Sequence, residues 1–363
     1  MEFIDLQSQY RLMRDPVNRA IQEVLDTSRY INGPQVKELE GALAEFVGCG
    51  HAVGLSSGTD ALLAILMAWG IGPGDEVITT PFTFIATAET IALTGAKPVF
   101  VDVEPDTLNI DPGLIAAAIT SRTRAIMPVS IFGQCADLDA INDIAKAHGL
   151  WVLEDACQSF GAANKGRRSC GMTTAAATSF FPAKPLGGYG DGGMAFTDDE
   201  ELAQKIKVIR EHGQIAQYRH ALLGINGRLD TLQAAILLAK LPFFEGEIQA
   251  RQEVATRYAE RLGGKVRIPE IRAENLSVFA QYTVRVADRE RVRGEMAQAG
   301  IPTAVHYPIP LHHQAVFAAL GHDRGEFPNA TQAANEVISL PMHPYLTAEQ
   351  QDLVCQALVR AVG

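Results

Sequence analysis

The segment TSFFPAKPLGGYGDGG, residues 178–193, places a single lysine, Lys184, between an apolar run and a glycine-rich loop. The apolar residues Met194–Thr197 follow, so the loop joins one predicted strand to another. Three glycines of the loop match the GxGxxG spacing of dinucleotide-binding proteins, but that motif needs a helix after it. The segment therefore argues against an NAD-dependent oxidoreductase. Most lysines are surface charges, whereas the apolar and glycine neighbours of Lys184 predict a partly enclosed, nucleophilic amine.

Strand-like and helical segments alternate on both sides of this loop. Apolar runs predict strands over residues 51–55, 76–79, 98–101, 125–130, 151–154, 178–181 and 193–197. Periodicity predicts helices over residues 16–26, 36–46, 58–69, 83–93, 112–118 and 138–148. This alternation predicts an α/β fold with a mostly parallel sheet of the seven-stranded type, covered by helices on both faces.

The pattern changes after about residue 240. The later part predicts a long polar helix, a strand and two further helices over residues 244–262, 281–286, 289–299 and 348–362. We therefore expect a large domain over residues 1–240 and a smaller C-terminal α/β domain over residues 241–363.

Composition limits the classes of partner. The chain has 363 residues, 47% of them hydrophobic, and a net charge of −11, whereas nucleic acids and anionic membranes select basic surfaces. We expect neither a signal peptide nor a membrane-spanning helix. The five cysteines include no CxxC pair, so we expect reduced thiols, a cytoplasmic location and no metal site. Cys157 is expected to be a small buried residue rather than a nucleophile.

Two short motifs follow predicted strands. SSGTD, residues 56–60, precedes a helix, where glycine and the free amides of the helix start can bind a phosphate. The same residues also suit a plain N-cap. EDACQ, residues 154–158, ends an apolar strand, and ligands of open α/β sheets bind at the carboxyl ends of strands. There Asp155 can hold a protonated ring nitrogen and Gln158 a ring hydroxyl, or the motif can be a helix cap or a salt bridge.

A third motif, NGRLDTLQAA (residues 226–235), places Arg228 before an amphipathic helix. Its guanidinium can bind a carboxylate, or it can be a cap or a surface charge. In this order, SSGTDAL, EDACQSFGA, SFFPAKPLGGYGDGG and NGRLDTLQAA resemble the sugar-nucleotide aminotransferases of the aspartate-aminotransferase fold, which use pyridoxal phosphate (PLP). The resemblance extends from FIDL near the start to LPMHP near the end.

The resemblance implies a role for each matching residue. Lys184 would bind PLP through an imine and move the proton during transamination, and Asp155 would keep the pyridine nitrogen protonated. Phe82 would stack on the ring, and the glycines after Lys184 would let the backbone pass close to it. Asn226 would reach the phosphate of the neighbouring subunit, which implies a homodimer with active sites at its interface. The residues expected to bind the cofactor are Gly58, Thr59, Asp60, Phe82, Asp155, Gln158, Ser179, Lys184 and Asn226.

Three further segments indicate a subgroup. GQCADLDAI, PTAVHYPIPLHHQ and SLPMHPYL resemble enzymes that make 2,3-diamino-2,3-dideoxy uronic acids for bacterial surface polysaccharides such as lipopolysaccharide O-antigens. The resemblance implies transfer of an amino group from L-glutamate to C3 of a UDP-linked 2-acetamido-3-keto-glucuronic acid. Arg228 would bind a carboxylate of either substrate. His306 and Tyr307 would line the sugar pocket, unless they are only a packed loop between prolines. His312 and His313 can be sugar contacts or surface residues, and the sequence does not distinguish these roles.

Other functions remain open on the same scaffold. One is amination at C4 of a nucleotide-linked 4-keto-6-deoxy sugar. Another is dehydration, although the dehydratases of this family carry histidine where this sequence has Lys184. A PLP-binding regulator without turnover is a third alternative.

Overall fold

Strands and helices alternate through the chain, which a computed structural model describes over residues 1–323 and 325–363. The strands are β1 His51–Leu55, β2 Glu76–Thr79, β3 Lys97–Phe100, β4 Thr123–Ile126, β5 Trp151–Asp155, β6 Ala163–Asn164, β7 Arg167–Arg168, β8 Ala175–Ser179, β9 Gly193–Thr197, β10 Gln214–Ala216, β11 Arg219–His220, β12 Asn275–Leu276, β13 Tyr282–Arg285 and β14 Val337–Leu340. The helices are α1 Leu6–Thr27, α2 Pro34–Val47, α3 Gly58–Ala68, α4 Ala86–Leu93, α5 Pro112–Ala118, α6 Leu138–His148, α7 Glu200–Ile209, α8 Thr231–Leu262, α9 Arg289–Gln298, α10 Pro328–Glu336 and α11 Ala348–Val362.

Seven strands form the central sheet, in the order β1, β9, β8, β5, β4, β2 and β3. The pairings from β8 to β3 are all parallel, and β9 is antiparallel to both of its neighbours. The prediction of an α/β fold with a mostly parallel, seven-stranded sheet is therefore confirmed.

Both faces of this sheet are buried, because apolar side chains alternate between two cores. In β8, Ala176 packs into a core with α2, α6 and the first half of α8, whereas Ala175 and Ala177 pack into a core with α3 and α7. Successive side chains of a strand point to opposite faces, which explains this alternation. The carboxyl ends of the strands remain as the edge at which polar side chains can meet a ligand.

Two helices are longer than the sequence patterns predict. Helix α1 begins at Leu6 and contains Pro16, and helix α8 begins at Thr231 and contains Pro242. A proline removes one helical hydrogen bond, but packing of an apolar face against the rest of the protein can hold the helix together. The patterns also gave no indication of α7, α10 or β14, which are short elements.

Helix α8 runs through the domain boundary predicted between residues 240 and 241. Its first part contributes Leu237 and Phe244 to a core of the central sheet. Its last part contributes Val254 and Tyr258 to a separate core with β13, β14, α9 and α11. The packing thus changes partner further along the chain than predicted, inside a continuous helix, and the division into two domains stays a prediction.

A group of aromatic side chains, here called the bridging cluster, joins the central sheet to the C-terminal part. It consists of Phe82, Phe100, Phe317 and Phe327. The ring of Phe100, at the end of β3, packs edge to face against the rings of Phe317 and Phe327. Ring pairs in this geometry stabilise a core beyond the area that they bury. The cluster fixes the segment after α9 against the sheet.

Helix composition and side-chain placement add three facts. Over residues 1–323 and 325–363, every helix is too short or too polar to cross a membrane. Among the same residues, no three His, Cys, Asp or Glu side chains are grouped so that they could hold a metal ion. The five cysteines are free thiols, and three of them are buried.

Candidate active site

A buried carboxylate stands at the carboxyl end of the central strand β5. Asp155 is the last residue of that strand and is 5% exposed. Thr87 Oγ1, on α4, donates to one carboxylate oxygen at 2.7 Å, and the amide of Cys157 donates to the other at 3.2 Å. Because both oxygens are held, the carboxylate has a fixed direction and can orient a cationic partner.

Asp155 lines a cavity of about 420 Å³ at this edge of the sheet. Lys184 and Ser179 line the same cavity from the end of β8 and the loop after it. His306 and Tyr307 line it from the C-terminal part of the chain. An amine, a carboxylate, a hydroxyl and an imidazole from distant positions in the sequence therefore meet around one accessible space.

The start of helix α3 forms one wall of this cavity. Gly58 and Thr59 line it, and the Ser57 hydroxyl caps the helix by accepting from the Asp60 amide at 3.0 Å. A Cβ atom on Gly58 would lie 2.8 Å from the Cys157 sulfur, so only glycine fits there. The first amides of a helix have no acceptor within the helix, which makes this wall suitable for a phosphate.

Gln158 connects two segments of the cavity wall. Its Oε1 accepts from the Phe132 amide at 3.0 Å, and its Nε2 donates to the Tyr307 hydroxyl at 2.9 Å. Burial raises the pKa of Tyr307, and the nearby Asp155 carboxylate raises it further, so the phenol stays neutral. Tyr307 can therefore still donate its own proton into the cavity.

His306 and Cys157, which also line the cavity, are neutral as well. Burial lowers the pKa of His306 to about 4, and the positive charge of Lys184 acts in the same direction. Burial raises the pKa of the Cys157 thiol, and the negative charge of Asp155 adds to the effect. A thiol in this state is a poor nucleophile. The Cys157 side chain is half-buried rather than buried as predicted, because it lines the cavity.

The chain is similar to known proteins over almost its whole length. Residues 12–359 match the DegT/DnrJ/EryC1/StrS aminotransferase family. The chain belongs to this family. The aminotransferase is 54% identical over 361 residues to the UDP-2-acetamido-2-deoxy-3-oxo-D-glucuronate aminotransferase of Pseudomonas aeruginosa, and the match covers 99% of each chain.

Solved structures agree with this assignment. A DegT/DnrJ/EryC1/StrS aminotransferase from Brucella abortus has a TM-score of 0.97 at 42% identity, with 100% of both chains covered. The protein NtdA from Bacillus subtilis, solved with bound cofactor PMP, has a TM-score of 0.90 at 31% identity, covering 96% of this chain and 82% of that one. The predicted family, fold and PLP cofactor are thereby confirmed.

The cavity of the aminotransferase suits PLP chemically. Lys184 offers an amine for the aldehyde, and Asp155 offers a carboxylate for the ring nitrogen. The α3 start and the Ser179 hydroxyl offer donors for the phosphate. Of the residues predicted to bind the cofactor, the structure brings six to this cavity: Gly58, Thr59, Asp155, Gln158, Ser179 and Lys184.

Phe82 requires a correction, because it does not line the cavity. Its side chain is 0% exposed and belongs to the bridging cluster, with its ring edge to face against Phe132 at 6.2 Å. Of the two phenylalanines in TPFTF, the one that lines the cavity is Phe84, which is 54% exposed. The sequence TPFTF contains both rings, and only the packing distinguishes them.

Asp60, Asn226 and Arg228 also lie outside this cavity. The Asp60 carboxylate accepts from the Ser56 hydroxyl beside the helix start, so it stabilises the turn. Asn226 and Arg228 line a second cavity of about 420 Å³. Asp191 lines both cavities, so the second one adjoins the first. Within one chain, therefore, Asn226 and Arg228 stand beside the site rather than in it.

The glycine-rich loop after Lys184 packs closely against the side chain of Gln233. A Cβ atom on Gly188 or Gly190 would lie 2.8 Å from the side-chain amide of Gln233, on α8. The same amide accepts from the Tyr189 backbone N–H at 2.8 Å. Gly188 and Gly190 thus make room for Gln233, a contact that the sequence did not predict.

A fully buried lysine, Lys240 on α8, also holds this loop. Its Nζ donates to the Gly187 carbonyl oxygen and, at 2.7 Å, to Gln9 Oε1 on α1. Gln9 Nε2 in turn donates to Glu247 at 2.8 Å. Burial lowers the pKa of Lys240 to about 8. The sequence signal for this residue is weak, since a lysine at a helix position usually reaches solvent.

His312 and His313 lie away from the cavity. His312 is buried, with its ring 4.0 Å from that of His313 and 4.8 Å from that of Phe327. Both residues pack beside the bridging cluster, so the structure places them in the C-terminal core region and not on the cavity wall.

Proposed function

We propose that the aminotransferase moves an amino group from L-glutamate to C3 of a UDP-linked 2-acetamido-3-keto-glucuronic acid. The observation that carries the proposal is the 54% identity, over 99% of both chains, to the Pseudomonas aeruginosa enzyme named for that 3-oxo substrate. The products would be 2-oxoglutarate and UDP-2-acetamido-3-amino-2,3-dideoxy-glucuronic acid. The free thiols favour a reducing, cytoplasmic location for the reaction.

The chain's own groups divide the work. Bound PLP supplies an aldehyde that combines with amines and a ring that takes up electrons from the reacting carbon. Asp155, held by Thr87 and the Cys157 amide, would accept a hydrogen bond from the ring N–H and so keep that nitrogen protonated. Lys184 Nζ would carry a proton between the substrate carbon and the cofactor, and a single flexible amine can do this in both half-reactions.

Binding groups complete the assignment. Gly58 and Thr59, at the start of α3, and Ser179, at the end of β8, would hold the phosphate, because all three line the same cavity. Gln158 would hold the ring hydroxyl side in place. His306 and Tyr307, which are both neutral and line the same cavity, would donate to oxygens of the keto sugar.

Lys184→Ala tests the central assignment. We expect this variant to lose turnover. In a second experiment, wild-type protein loaded with PLP is reduced with borohydride, and peptide mass spectrometry should find the label on Lys184 alone. The matched control is Lys205→Ala, since Lys205 is an exposed lysine paired with Glu201 on α7. Turnover retained by Lys184→Ala, or a label on another amine, would reject the role.

The position of amination is tested with purified keto sugars. UDP-linked 3-keto and 4-keto sugars are offered in turn with L-glutamate, release of 2-oxoglutarate is followed, and NMR locates the new amine. The proposal expects reaction at C3. Turnover of the 4-keto sugar alone would favour the C4 alternative, and glutamate consumption without any sugar product would favour the non-catalytic regulator.

We further propose that the active form is a homodimer. The hairpin β10–β11 and the segment after it expose Ile215, Tyr218 and Leu223 by 62%, 85% and 89%. Apolar exposure of this extent is typical of a surface that a partner covers. Asn226 and Arg228, in the adjoining second cavity, would then complete the neighbouring subunit's site, with Arg228 binding a substrate carboxylate.

Mixing two inactive variants tests the shared site. Lys184→Ala and Asn226→Ala proteins, dissociated and reassociated together, should regain activity in hybrid dimers. Random pairing predicts about one quarter of the wild-type activity, since half of the dimers are hybrid and each has one intact site. If Asn226 acts only within its own chain, the mixture stays inactive.

A further inference from the structure

A single hydroxyl stands out in the small two-stranded sheet of the C-terminal part. Strand β14 reads VISL and is buried throughout, and its one polar residue, Ser339, is 0% exposed. A hydroxyl buried in this way destabilises the fold unless it is hydrogen-bonded. Its partners therefore show what the serine is for.

The Ser339 hydroxyl connects β13 to the cavity. Its Oγ lies 2.9 Å from Thr283 Oγ1, on the paired residue of β13, and 3.0 Å from His306 Nδ1. The backbone supports the same contact, because Ser339 exchanges hydrogen bonds with Ala304 at 2.8 and 3.2 Å. Since Ala304 is two residues before His306, backbone and side chain together fix the position of the imidazole.

Donor accounting sets the direction of these bonds. Each hydroxyl has one proton to give, and a neutral imidazole has one donor and one acceptor nitrogen. Among the described residues, Thr283 Oγ1 has Ser339 as its hydrogen-bond partner. If Ser339 donated to Thr283, the Thr283 proton would be buried without an acceptor, which is unfavourable. Both protons are used when Thr283 donates to Ser339 and Ser339 donates to His306.

We propose that Ser339 is a positioning residue that holds His306 in the form protonated at Nε2, so that Nε2–H donates to an oxygen of the keto sugar. The proposal rests on the proposed function only in that the substrate is a keto sugar at this cavity. A carbonyl oxygen accepts and cannot donate, so a fixed donor on the wall recognises it. The amino donor has no such need, because its reacting carbon carries an amine.

The two half-reactions separate this role from a general structural one. In wild type and Ser339→Ala, the conversion of PLP to PMP by L-glutamate and the reverse conversion by the keto sugar are followed separately by absorbance. We expect Ser339→Ala to slow the sugar half-reaction roughly tenfold, from the loss of one hydrogen bond in the chain, and to leave the glutamate half unchanged. Thr283→Val, which keeps the shape but removes the first donor, should have a smaller effect of the same kind.

A double variant tests whether Ser339 acts through His306. If it does, Ser339→Ala combined with His306→Gln should be no slower than His306→Gln alone. Equal slowing of both half-reactions by Ser339→Ala, or additive losses in the double variant, would overturn the proposal.

Nitrogen-15 NMR of the histidine rings supplies a readout that needs no substrate. Wild-type protein should show His306 protonated at Nε2, and Ser339→Ala should show a mixture of both neutral forms. An Nδ1-protonated ring in wild type would overturn the proposal, whatever sugar the enzyme accepts. Failure of wild type on 3-keto sugars, with the ring state as expected, would instead count against the proposed substrate.

Discussion

Replacing Phe84 with alanine should weaken cofactor binding and leave the stability of the apoprotein almost unchanged. The ring is 54% exposed and lines the cavity, with its centroid 6.0 Å from that of Tyr307. Stacking of an aromatic side chain on another ring, here the cofactor ring, contributes about 0.5–1.5 kcal/mol. Loss of this contact should raise the dissociation constant for PLP roughly 2- to 12-fold. A residue this exposed should change the free energy of unfolding by about 0.5 kcal/mol or less.

Phe82→Ala, two residues away, should give the opposite pattern. This ring is 0% exposed in the bridging cluster, and truncation of a buried phenylalanine costs about 3–5 kcal/mol of unfolding free energy. PLP affinity of the folded fraction should change less than in the Phe84 variant, since no atom of Phe82 reaches the cavity.

Both quantities are measurable on the same proteins. PLP affinity follows from fluorescence titration of apoprotein, and unfolding free energy from urea denaturation of the same apoprotein. Phe84→Leu is the matched control: it keeps apolar bulk but removes the aromatic face, so it should bind PLP nearly as weakly as Phe84→Ala. If Phe82→Ala alters PLP affinity more than Phe84→Ala while stability stays the same, the placement of the two rings is wrong.

Three further expectations follow from the buried contacts. Arg210→Met removes the guanidinium that lies 2.6 Å from the largely buried Glu40 carboxylate. Urea denaturation should show a loss of about 3–5 kcal/mol in the free energy of unfolding, and an unchanged denaturation midpoint would contradict this expectation. Gly193→Ala would place a Cβ atom on the Ser57 carbonyl group, so both the melting temperature and PLP affinity should fall; wild-type values for both would refute the close approach. His306 has a pKa of about 4 when folded and 6.5 as its ordinary value, so the unfolded chain binds more protons between these limits and stability should fall as pH drops from 6.5 to about 4. His306→Gln should make that part of the urea-derived stability profile less steep, while His343, whose pKa burial also lowers to about 4, keeps contributing to it. An unchanged slope would contradict the lowered pKa of His306.

The sequence predicts well those features that depend on neighbouring residues within one strand or loop. Asp155 could be placed because it ends an apolar strand, and Lys184 because apolar and glycine residues surround it. Sequence alone could not separate Phe82 from Phe84, since both occur in one short loop and the packing that buries the first involves residues distant in sequence, from Phe132 to Phe327.

Long-range packing explains the other differences. Gly188 and Gly190 leave space for the side chain of Gln233, which lies some forty positions later, and no local pattern reveals that contact. Pro242 suggests a break near the predicted domain boundary, but α8 passes through it because two cores hold the helix on either side. The family resemblance supplied the cofactor and the substrate class, which residue spacing by itself did not.

The contacts of Lys240 with Gln9 and with the Gly187 carbonyl tie the segment after Lys184 to the amino-terminal helix. An affinity tag or a shortened start that unseats α1 would therefore disturb the chemistry from a distance, without touching any residue that meets the substrate. Preparations that differ only at their amino terminus should be compared for bound PLP before differences in rate are attributed to the sugar. Through Gln9, helix α1 thus helps to hold the loop that follows Lys184.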